Sequence, residues 1–318
     1  MMIDEDDVPM SVWRRPGLLF LSALLWAAAL GAAALTLWPF ESVVFLRKNS
    51  LRFNGVARVD VGTLKAYEYD SCPAKGPCSC VALIHGLGDS ALTWDNVLAG
   101  KHGASPPPPG THLLAVEYPG SEGSAPPATP AGYDVPAMAE TVGAALEGRC
   151  PRWTVAGNSL GGWVSAWIAL QRPALVERLV LIDAAGLSDH REELESAART
   201  LSSPTEEGMK RFVGLSYHRH PPIPKRAWRA IVASIRARPT ASIVAALKES
   251  DFLDARAKDI RAPTLVLWGE SDGVISADVG SHFARLIPNA RLELVPDCGH
   301  LPQQECPAAV SKALFEPR

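Results

Sequence analysis

The sequence predicts an α/β protein in which a mostly parallel sheet is covered by helices on both faces. Beyond about residue 50, apolar segments with the composition of β-strands alternate with segments of helical spacing, the pattern of a parallel sheet with helical crossovers. The 318 residues, of which 47% are hydrophobic and 20% charged, suffice for one large domain or two ordinary ones with a substantial core.

Eight segments are predicted to form strands because each is short, apolar and rich in residues that favour extended structure. The first two are joined by a turn at Gly62. The predicted strands comprise residues 51–61, 64–69, 80–85, 112–117, 153–157, 179–183, 264–268 and 291–295. An eight-stranded sheet is therefore expected.

Helices are predicted where apolar residues recur at intervals of three and four. This spacing is found at residues 133–147, 160–171, 277–287 and 306–315. The alternation of strands and helices breaks between Gly186 and about Lys258, where the sequence is long, charged and rich in helix-favouring residues. We therefore predict a helical cap at about residues 186–258, inserted after the sixth strand.

The amino-terminal segment differs from the rest of the chain. No charged side chain lies between Gly17 and Phe40, and this apolar run is long enough to cross a hydrocarbon core of about 30 Å as one helix. We predict a transmembrane anchor within residues 1–45, followed by the α/β domain at 46–318. A cleaved signal peptide is the alternative, because a basic pair precedes the run and small residues at 32–34 offer a cleavage site.

Six cysteines bear on the compartment of the α/β domain. They are Cys72, Cys78, Cys80, Cys150, Cys298 and Cys306. Disulfide bonds would place the domain in an oxidising compartment, whereas small buried or exposed thiols are the alternative. We favour disulfides and expect a periplasmic or otherwise extracytoplasmic domain. Positive charges on both sides of the apolar run leave its orientation undecided.

Charge and motifs exclude several classes of function. Lys and Arg total 31 against 34 for Asp and Glu, and the net charge of -3 comes without a basic block, so nucleic-acid binding is not expected. The sequence contains neither the phosphate-binding loop of NTPases nor the His-Glu-x-x-His helix of zinc proteases. No metal or organic cofactor is implied.

The sharpest chemical signal is the pentapeptide Gly-Asn-Ser-Leu-Gly at residues 157–161. A strand-like segment precedes it and a helical segment follows it, the context in which a tight turn strains the serine backbone and exposes the hydroxyl. Small residues two positions before and after Ser159 leave room for the chain to pass. We predict that Ser159 is a nucleophile, and an ordinary turn serine is the alternative.

A serine hydroxyl needs a base to take its proton, and the base needs an acceptor to orient it. His300 follows the last predicted strand and Asp272 follows the seventh, so Ser159, Asp272 and His300 are predicted to form a triad. Asp183, after the sixth strand, is the rival acid. His85 follows the third strand and is expected to orient the adjacent loop instead of acting as the base.

A tetrahedral intermediate also requires two hydrogen-bond donors aimed at its oxygen. The backbone N–H of Leu160 lies next to the serine at a helix start, and that of Leu87 lies in His-Gly-Leu-Gly after the third strand. We predict that these two N–H groups form the oxyanion hole. A plain turn is the alternative for the second motif.

With these residues in place, the chain resembles the α/β-hydrolase superfamily over about residues 51–315. Within it the chain is similar to the membrane-anchored monoacylglycerol lipases, through Glu-Tyr-Pro-Gly-Ser-Glu-Gly-Ser at 117–124, Ser-Pro-Thr-Glu-Glu at 203–207 and Cys-Gly-His at 298–300. Glu117 replaces the usual Asp of that group, and Ser121 the usual His. The resemblance implies an α/β-hydrolase fold with eight strands and a helical cap.

The resemblance and the site together favour one function over two others. The expected activity is hydrolysis of carboxylic esters, such as monoacylglycerol or similar acyl esters, with the amino-terminal helix keeping the enzyme at the membrane. A carbon–carbon bond hydrolase of ring-cleavage products is the first alternative, and a non-catalytic ligand-binding protein is the second. If the strand order of the superfamily holds, Cys80 and Cys150 lie close enough for a disulfide.

Overall fold

The computed structural model describes residues 28, 31–34, 36–188 and 191–316, and its centre is an eight-stranded sheet. The strands are β1 (Ala57–Val61), β2 (Leu64–Asp70), β3 (Ser79–Ile84), β4 (Thr111–Val116), β5 (Trp153–Asn158), β6 (Val176–Ile182), β7 (Thr264–Gly269) and β8 (Ala290–Val295). Their order in the sheet is β1-β2-β4-β3-β5-β6-β7-β8. Strands β1 and β2 pair antiparallel, as do β2 and β4, and the other neighbours pair parallel. The predicted fold class is therefore confirmed.

Helices precede, connect and follow these strands. They are α1 (Pro39–Phe53), α2 (Asp95–Leu98), α3 (Val135–Leu146), α4 (Leu160–Gln171), α5 (Arg191–Ser202), α6 (Glu206–Ser216), α7 (Ala227–Arg236), α8 (Thr240–Ala246), α9 (Ala277–Leu286), α10 (Pro302–Glu305) and α11 (Pro307–Phe315). Short 3₁₀ turns occupy Ala91–Trp94, Pro130–Tyr133, Glu249–Asp251 and Ala257–Asp259. Helices α5 to α8 all lie between β6 and β7, in the stretch where the sequence loses its alternation.

The core has one layer on each face of the sheet, because successive strand residues point to opposite sides. Ile84 of β3 packs in the layer that contains Trp163 of α4, whereas its neighbour Leu83 packs in the layer that contains Trp94. A third, smaller apolar cluster joins helices α5, α6 and α7. The central parallel strands are buried on both sides, which explains their nearly continuous apolar sequence.

The structure corrects the amino-terminal end of the first predicted strand. Residues 51–53 form the last turn of α1, and β1 begins only at Ala57. Leu51 is buried in the core as a helical residue, and the chain leaves the helix through Gly55, whose φ of +76° is one that glycine adopts readily. A short segment in which Leu51 and Phe53 flank a charged Arg52 fits a helix end as well as a strand, so its pattern alone does not decide.

The predicted anchor lies largely outside the described residues. Its carboxyl-terminal part reaches the start of α1, and α1 continues across the boundary placed at residues 45 and 46. None of the described helices reaches the length and hydropathy that a membrane crossing requires. The anchor and its orientation stay predictions.

All six cysteines form disulfides, which join Cys72 to Cys78, Cys80 to Cys150, and Cys298 to Cys306. The pairing of Cys80 with Cys150 confirms the expectation drawn from the strand order. Cys80 is the second residue of the central strand β3, and Cys150 lies just before β5, the parallel neighbour of β3. This bond therefore fixes the amino-terminal ends of two adjacent strands.

Candidate active site

Ser159 occupies a sharp turn between β5 and α4. Its backbone has φ 55° and ψ -121°, a conformation that non-glycine residues rarely adopt. The neighbouring glycines make the turn possible: a Cβ at Gly157 would lie 2.1 Å from the Gly161 oxygen, and a Cβ at Gly161 would lie 2.2 Å from the Ile84 oxygen. The structure thus contains the strand, strained turn and helix that the pentapeptide predicts.

Asn158, which precedes the serine, connects this turn to the loop that carries His300. Its buried side chain donates from Nδ2 to the His300 carbonyl oxygen at 2.9 Å, and its Oδ1 accepts from Gln303 Nε2 at 3.2 Å. Neither role is predicted from the sequence above. The sequence does hold one indication of them, because the amide of Asn158 ends a mostly apolar strand. A polar side chain that is buried there requires hydrogen-bond partners.

His300 and Asp272 form a buried hydrogen-bonded pair. The His300 Nδ1 to Asp272 Oδ2 distance is 2.7 Å, and the two side chains are 3% and 0% exposed. The other oxygen of Asp272 accepts backbone N–H groups from Val274 at 2.7 Å and Ile275 at 3.0 Å. These donors hold the carboxylate in place, and the carboxylate in turn orients the imidazole so that Nε2 remains for proton transfer.

Asp183, the rival acid, is close to this pair but bonds elsewhere. Its Oδ1 accepts the Gly269 N–H at 2.9 Å. Burial, followed by the charge of Asp272, raises the pKa of Asp183 well above its usual range. One carboxylate oxygen of each aspartate and one ring nitrogen of His300 lie within 4.8 Å of one another. Three atoms of these types could also bind a metal ion. The histidine itself is bonded by Asp272, which fits the predicted triad.

The predicted oxyanion loop lies directly against the serine. A Cβ placed on Gly86 would lie 3.3 Å from the Ser159 Cβ, so only a glycine fits this approach without displacing a neighbour. Leu87 and Leu160 line the same cavity as Ser159 and His300. The structure therefore brings together the backbone segments expected to supply both oxyanion donors.

His85 lies beneath this loop, as predicted for an orienting residue. Its Nδ1 is 2.9 Å from the Gly86 oxygen, and its Nε2 is 3.3 Å from Glu117 Oε2. Glu117 also accepts the Ala91 N–H at 3.0 Å, and Tyr118 donates to the His85 carbonyl at 2.7 Å. The glutamate that departs from the usual Asp is thus part of the buried support of the loop.

An apolar cavity of about 620 Å³ extends from the serine. Ser159 and His300 lie in its wall, together with side chains from the helices between β6 and β7. These helices contribute Ala198, Leu201, Met209, Phe212, Ile231 and Ile235. The size and apolar lining suit a small lipophilic molecule.

Helix α1 forms a further part of the cavity wall, a position that its sequence does not predict. Phe40, Val43 and Val44 face the cavity, as does the stem of Arg47. The Arg47 guanidinium contacts Asp95 through two nitrogens at 2.8 and 2.5 Å and donates to the Leu92 carbonyl at 2.8 Å. This bidentate, part-buried pair fixes α1 against the domain.

The disulfide between Cys298 and Cys306 closes a loop that contains His300. Inside the loop, Glu305 accepts the Gly299 N–H at 2.8 Å, and the His300 N–H donates to the Ser216 carbonyl at 2.8 Å. The disulfide and these bonds hold the histidine backbone on both sides.

We expect the double variant Cys298→Ser/Cys306→Ser to lose about 2 to 3 kcal/mol of unfolding free energy, because the reduced chain gains loop entropy when unfolded. Its kcat/KM for ester hydrolysis should fall about tenfold, since the His300 loop is held less firmly. Thermal unfolding and steady-state kinetics measure both. The double variant Cys72→Ser/Cys78→Ser is the control. An equal loss of activity in this control would contradict a specific role of the disulfide between Cys298 and Cys306.

Residues 81–313, most of the chain, match the alpha/beta hydrolase family. The chain belongs to the α/β hydrolase family. Among curated α/β hydrolases it is similar to lipase 3 of Moraxella sp. (strain TA144), with 28% identity over 70% of this chain and 72% of that protein. It is equally similar to a 2-hydroxy-6-oxononadienedioate/2-hydroxy-6-oxononatrienedioate hydrolase of Cupriavidus pinatubonensis, with 28% identity over 74% of this chain and 85% of that protein.

Two further similarities are to a monoacylglycerol lipase and to a membrane phospholipase A. Human monoacylglycerol lipase ABHD6 is 24% identical over 79% of this chain and 77% of its own length. The crystal structure of a membrane phospholipase A, described as a bacterial virulence factor, superimposes with a TM-score of 0.69 at 25% identity, covering 93% of this chain and 96% of that one. The resemblance predicted from sequence motifs is thereby confirmed at the level of the superfamily.

Proposed function

We propose that this α/β hydrolase is a serine esterase that cleaves acyl esters of lipophilic substrates such as monoacylglycerol. One observation carries the proposal: Ser159 and the Asp272-bonded His300 share the wall of an apolar cavity of about 620 Å³. A strained serine and an oriented histidine supply nucleophilic chemistry, and an apolar cavity beside them favours an acyl chain. The similarity to lipases supports the same activity.

The proposed reaction proceeds through an acyl-enzyme. Ser159 Oγ attacks the ester carbonyl carbon while His300 Nε2 takes its proton, and Asp272 stabilises the resulting imidazolium. The backbone N–H groups of Leu87 and Leu160 donate to the oxyanion. His300 returns the proton to the departing alcohol oxygen. Water then attacks the acyl carbon with the same base, and collapse of the second intermediate releases the carboxylic acid and regenerates the Ser159 hydroxyl.

The charges in the cavity wall favour an uncharged ester over the carbon–carbon alternative. A nonadienedioate carries two carboxylates, which require cationic or hydrogen-bonding partners when buried. The two arginines of the wall already have partners: Arg47 is paired with Asp95, and Arg238 donates to the Gly88 oxygen at 2.7 Å and lies 3.5 Å from Glu122. The similarity to dienedioate hydrolases keeps that activity as the second candidate.

We also propose that the domain works outside the cytoplasm at a membrane. The three disulfides support an oxidising compartment, and the apolar cavity wall formed by α1 supports access to lipid. The uncharged run before α1 supports an anchor. Fractionation of cells that produce the full chain, with protease added to intact cells or spheroplasts, tests both location and orientation.

Covalent labelling of the serine tests the proposed function. A fluorophosphonate probe should label the wild-type protein and fail to label Ser159→Ala, because the probe traps only an activated serine hydroxyl. Labelling is read by gel fluorescence and by mass spectrometry of the labelled peptide. Ser203→Ala, which removes an exposed hydroxyl outside the cavity wall, is the matched control and should label like the wild type.

A substrate panel then separates the candidates. We expect turnover of p-nitrophenyl esters and monoacylglycerols and no cleavage of the dienedioate. Cleavage of the dienedioate alone would replace the ester proposal with the second candidate. A folded wild-type protein that neither labels nor turns over any substrate of the panel would overturn both and favour a non-catalytic, ligand-binding protein.

A further inference from the structure

Two carboxyl groups are buried side by side behind His300. Asp183 follows β6, Asp272 follows β7, and both side chains are 0% exposed. One oxygen of each and one ring nitrogen of His300 lie within 4.8 Å of one another. The mechanism proposed above uses Asp272 alone, so Asp183 is a buried acid without an assigned role.

The hydrogen-bond donors around the two carboxyl groups are unequal. Asp272 accepts three: the N–H groups of Val274 and Ile275, and Nδ1 of His300. Asp183 accepts one, the Gly269 N–H on Oδ1. Asp183 Oδ2 is buried and has no hydrogen-bond partner among the described residues. A carboxylate with three donors is well stabilised, whereas one with a bare buried oxygen is not.

Two adjacent buried carboxyl groups cannot both carry a full negative charge at low cost. The donor count places the charge on Asp272 and the proton on Asp183. Burial and the neighbouring Asp272 charge raise the pKa of Asp183 well above its usual range, which agrees with this assignment. A protonated Asp183 has one O–H to donate, and the acceptor that faces it is the Asp272 carboxylate.

We propose that Asp183 is a positioning residue that holds a proton on Oδ2 and donates it as a hydrogen bond to the carboxylate of Asp272. The role of Asp272 in this arrangement rests on the proposed serine hydrolase mechanism. The hydrogen bond adds a fourth donor to Asp272 and fixes the carboxylate against the His300 ring. It also withdraws negative charge from the Asp272 carboxylate. The carboxylate therefore stabilises the protonated form of the His300 imidazole less strongly.

Two titratable side chains of the described residues face Asp183. The loop after β7 contributes Asp272 and the loop after β8 contributes His300. On the other side, β5 and its turn contribute the neutral residues Asn158 and Ser159. The Asn158 side-chain amide donates to the Ile182 carbonyl at 3.2 Å, and the Ser159 backbone N–H donates to the same oxygen at 3.0 Å. A change in the charge of Asp183 therefore acts on the acid–histidine pair.

The variant Asp183→Asn tests where the proton lies without relying on activity. An amide keeps the oxygen that accepts from Gly269 and offers an N–H in place of the acid O–H, so it imitates the protonated state. In the wild type, the unfolded chain releases the Asp183 proton near its ordinary pKa of about 3.9, whereas the folded chain retains it. The folded state then binds more protons, and the stability contributed by this group falls as pH rises.

Asp183→Asn has no titratable group at this position and therefore lacks this pH-dependent contribution to stability. The difference in Tm between the variant and the wild type should therefore become more positive from pH 4.5 to pH 8, while contributions from other groups cancel in the difference. A difference that stays constant or becomes more negative over this range would show that Asp183 is ionised in the folded protein, because neither state would then release a proton from it, and would overturn the proposal even if no substrate had been found.

The pH dependence of kcat/KM tests the effect on the histidine. Asp183→Ala removes the donor to Asp272, so the acidic limb of the profile should move to higher pH by about 0.5 to 1 unit. Asp183→Asn retains a donor and should leave this limb in place, with kcat/KM within about threefold of the wild type. Asp251→Asn alters another buried aspartate, whose carboxylate accepts the Lys248 N–H and not a triad group, and should not move the limb.

The two readouts distinguish the possible failures. If fluorophosphonate labelling and ester turnover are absent, the serine hydrolase proposal fails while the Tm measurement still decides the protonation of Asp183. If turnover is present, an acidic limb at the same pH in Asp183→Ala and the wild type would overturn the positioning role. Loss of activity in Asp183→Asn by a thousandfold would instead make Asp183 the functional acid.

Discussion

Asp272→Asn is expected to lower kcat/KM for ester hydrolysis by about 10³- to 10⁴-fold. An amide cannot accept the His300 Nδ1 proton and also keep both backbone N–H bonds of the Asp272 carboxylate in the same way, so the imidazole is free to adopt the wrong tautomer. The imidazolium formed during attack would also lose its neutralising charge. Steady-state kinetics with a p-nitrophenyl ester measures the effect.

The same change at the neighbouring buried aspartate is the matched control. Asp183→Asn removes a carboxyl group of similar burial only one strand away, but the hydrogen bond to His300 is made by Asp272. Thermal unfolding should show that both variants are folded. The assignment of Asp272 as the acid of the triad would be contradicted if Asp183→Asn were the inactive variant and Asp272→Asn retained most of its activity.

Gly161→Ala is expected to destabilise the protein by about 3 to 5 kcal/mol and to reduce the yield of folded protein. The added Cβ would lie 2.2 Å from the Ile84 oxygen and 2.6 Å from the His85 oxygen. Both are backbone atoms at the end of the central strand β3, which is paired on both sides. Neither can retreat without breaking the sheet beside the serine turn.

Gly214→Ala is the control for this prediction. Gly214 lies in α6, where the added Cβ would meet only the edge of the His220 ring at 3.5 Å, an ordinary contact. Alanine is a better helix former, so stability should stay constant or rise by up to about 1 kcal/mol. Denaturant unfolding compares the two variants. A Gly161→Ala protein as stable as the wild type would show that the β3–α4 approach is looser than described.

Local sequence patterns were sufficient to predict the parts of the site that depend on chain neighbours. The strand, turn and helix around Ser159 follow from small residues at fixed spacing and from apolar periodicity on either side. Asp272 and His300 were predicted because each follows a strand, and parallel strands end at the same edge of a sheet. The structure brings these side chains together as the strand order implies.

Contacts between distant segments were not predictable in this way. Nothing in the residues around Arg47 indicates that it pairs with Asp95, 48 positions later, or that α1 forms part of the cavity wall. The links from Asn158 to Gln303 likewise depend on tertiary packing. Residues 51–53 are predicted as strand from their local pattern, whereas burial of Leu51 against the domain stabilises the helix that the structure shows, and local propensity does not contain that contact.

The left-handed backbone of Ser159 constrains how the sequence of this hydrolase can evolve. A non-glycine residue held in such a conformation costs about 1 to 3 kcal/mol, and the folded protein bears that cost whether or not substrate is bound. Glycine at this position would relieve the strain but remove the hydroxyl. Selection for heat resistance and selection for turnover therefore act in opposite directions at a single residue.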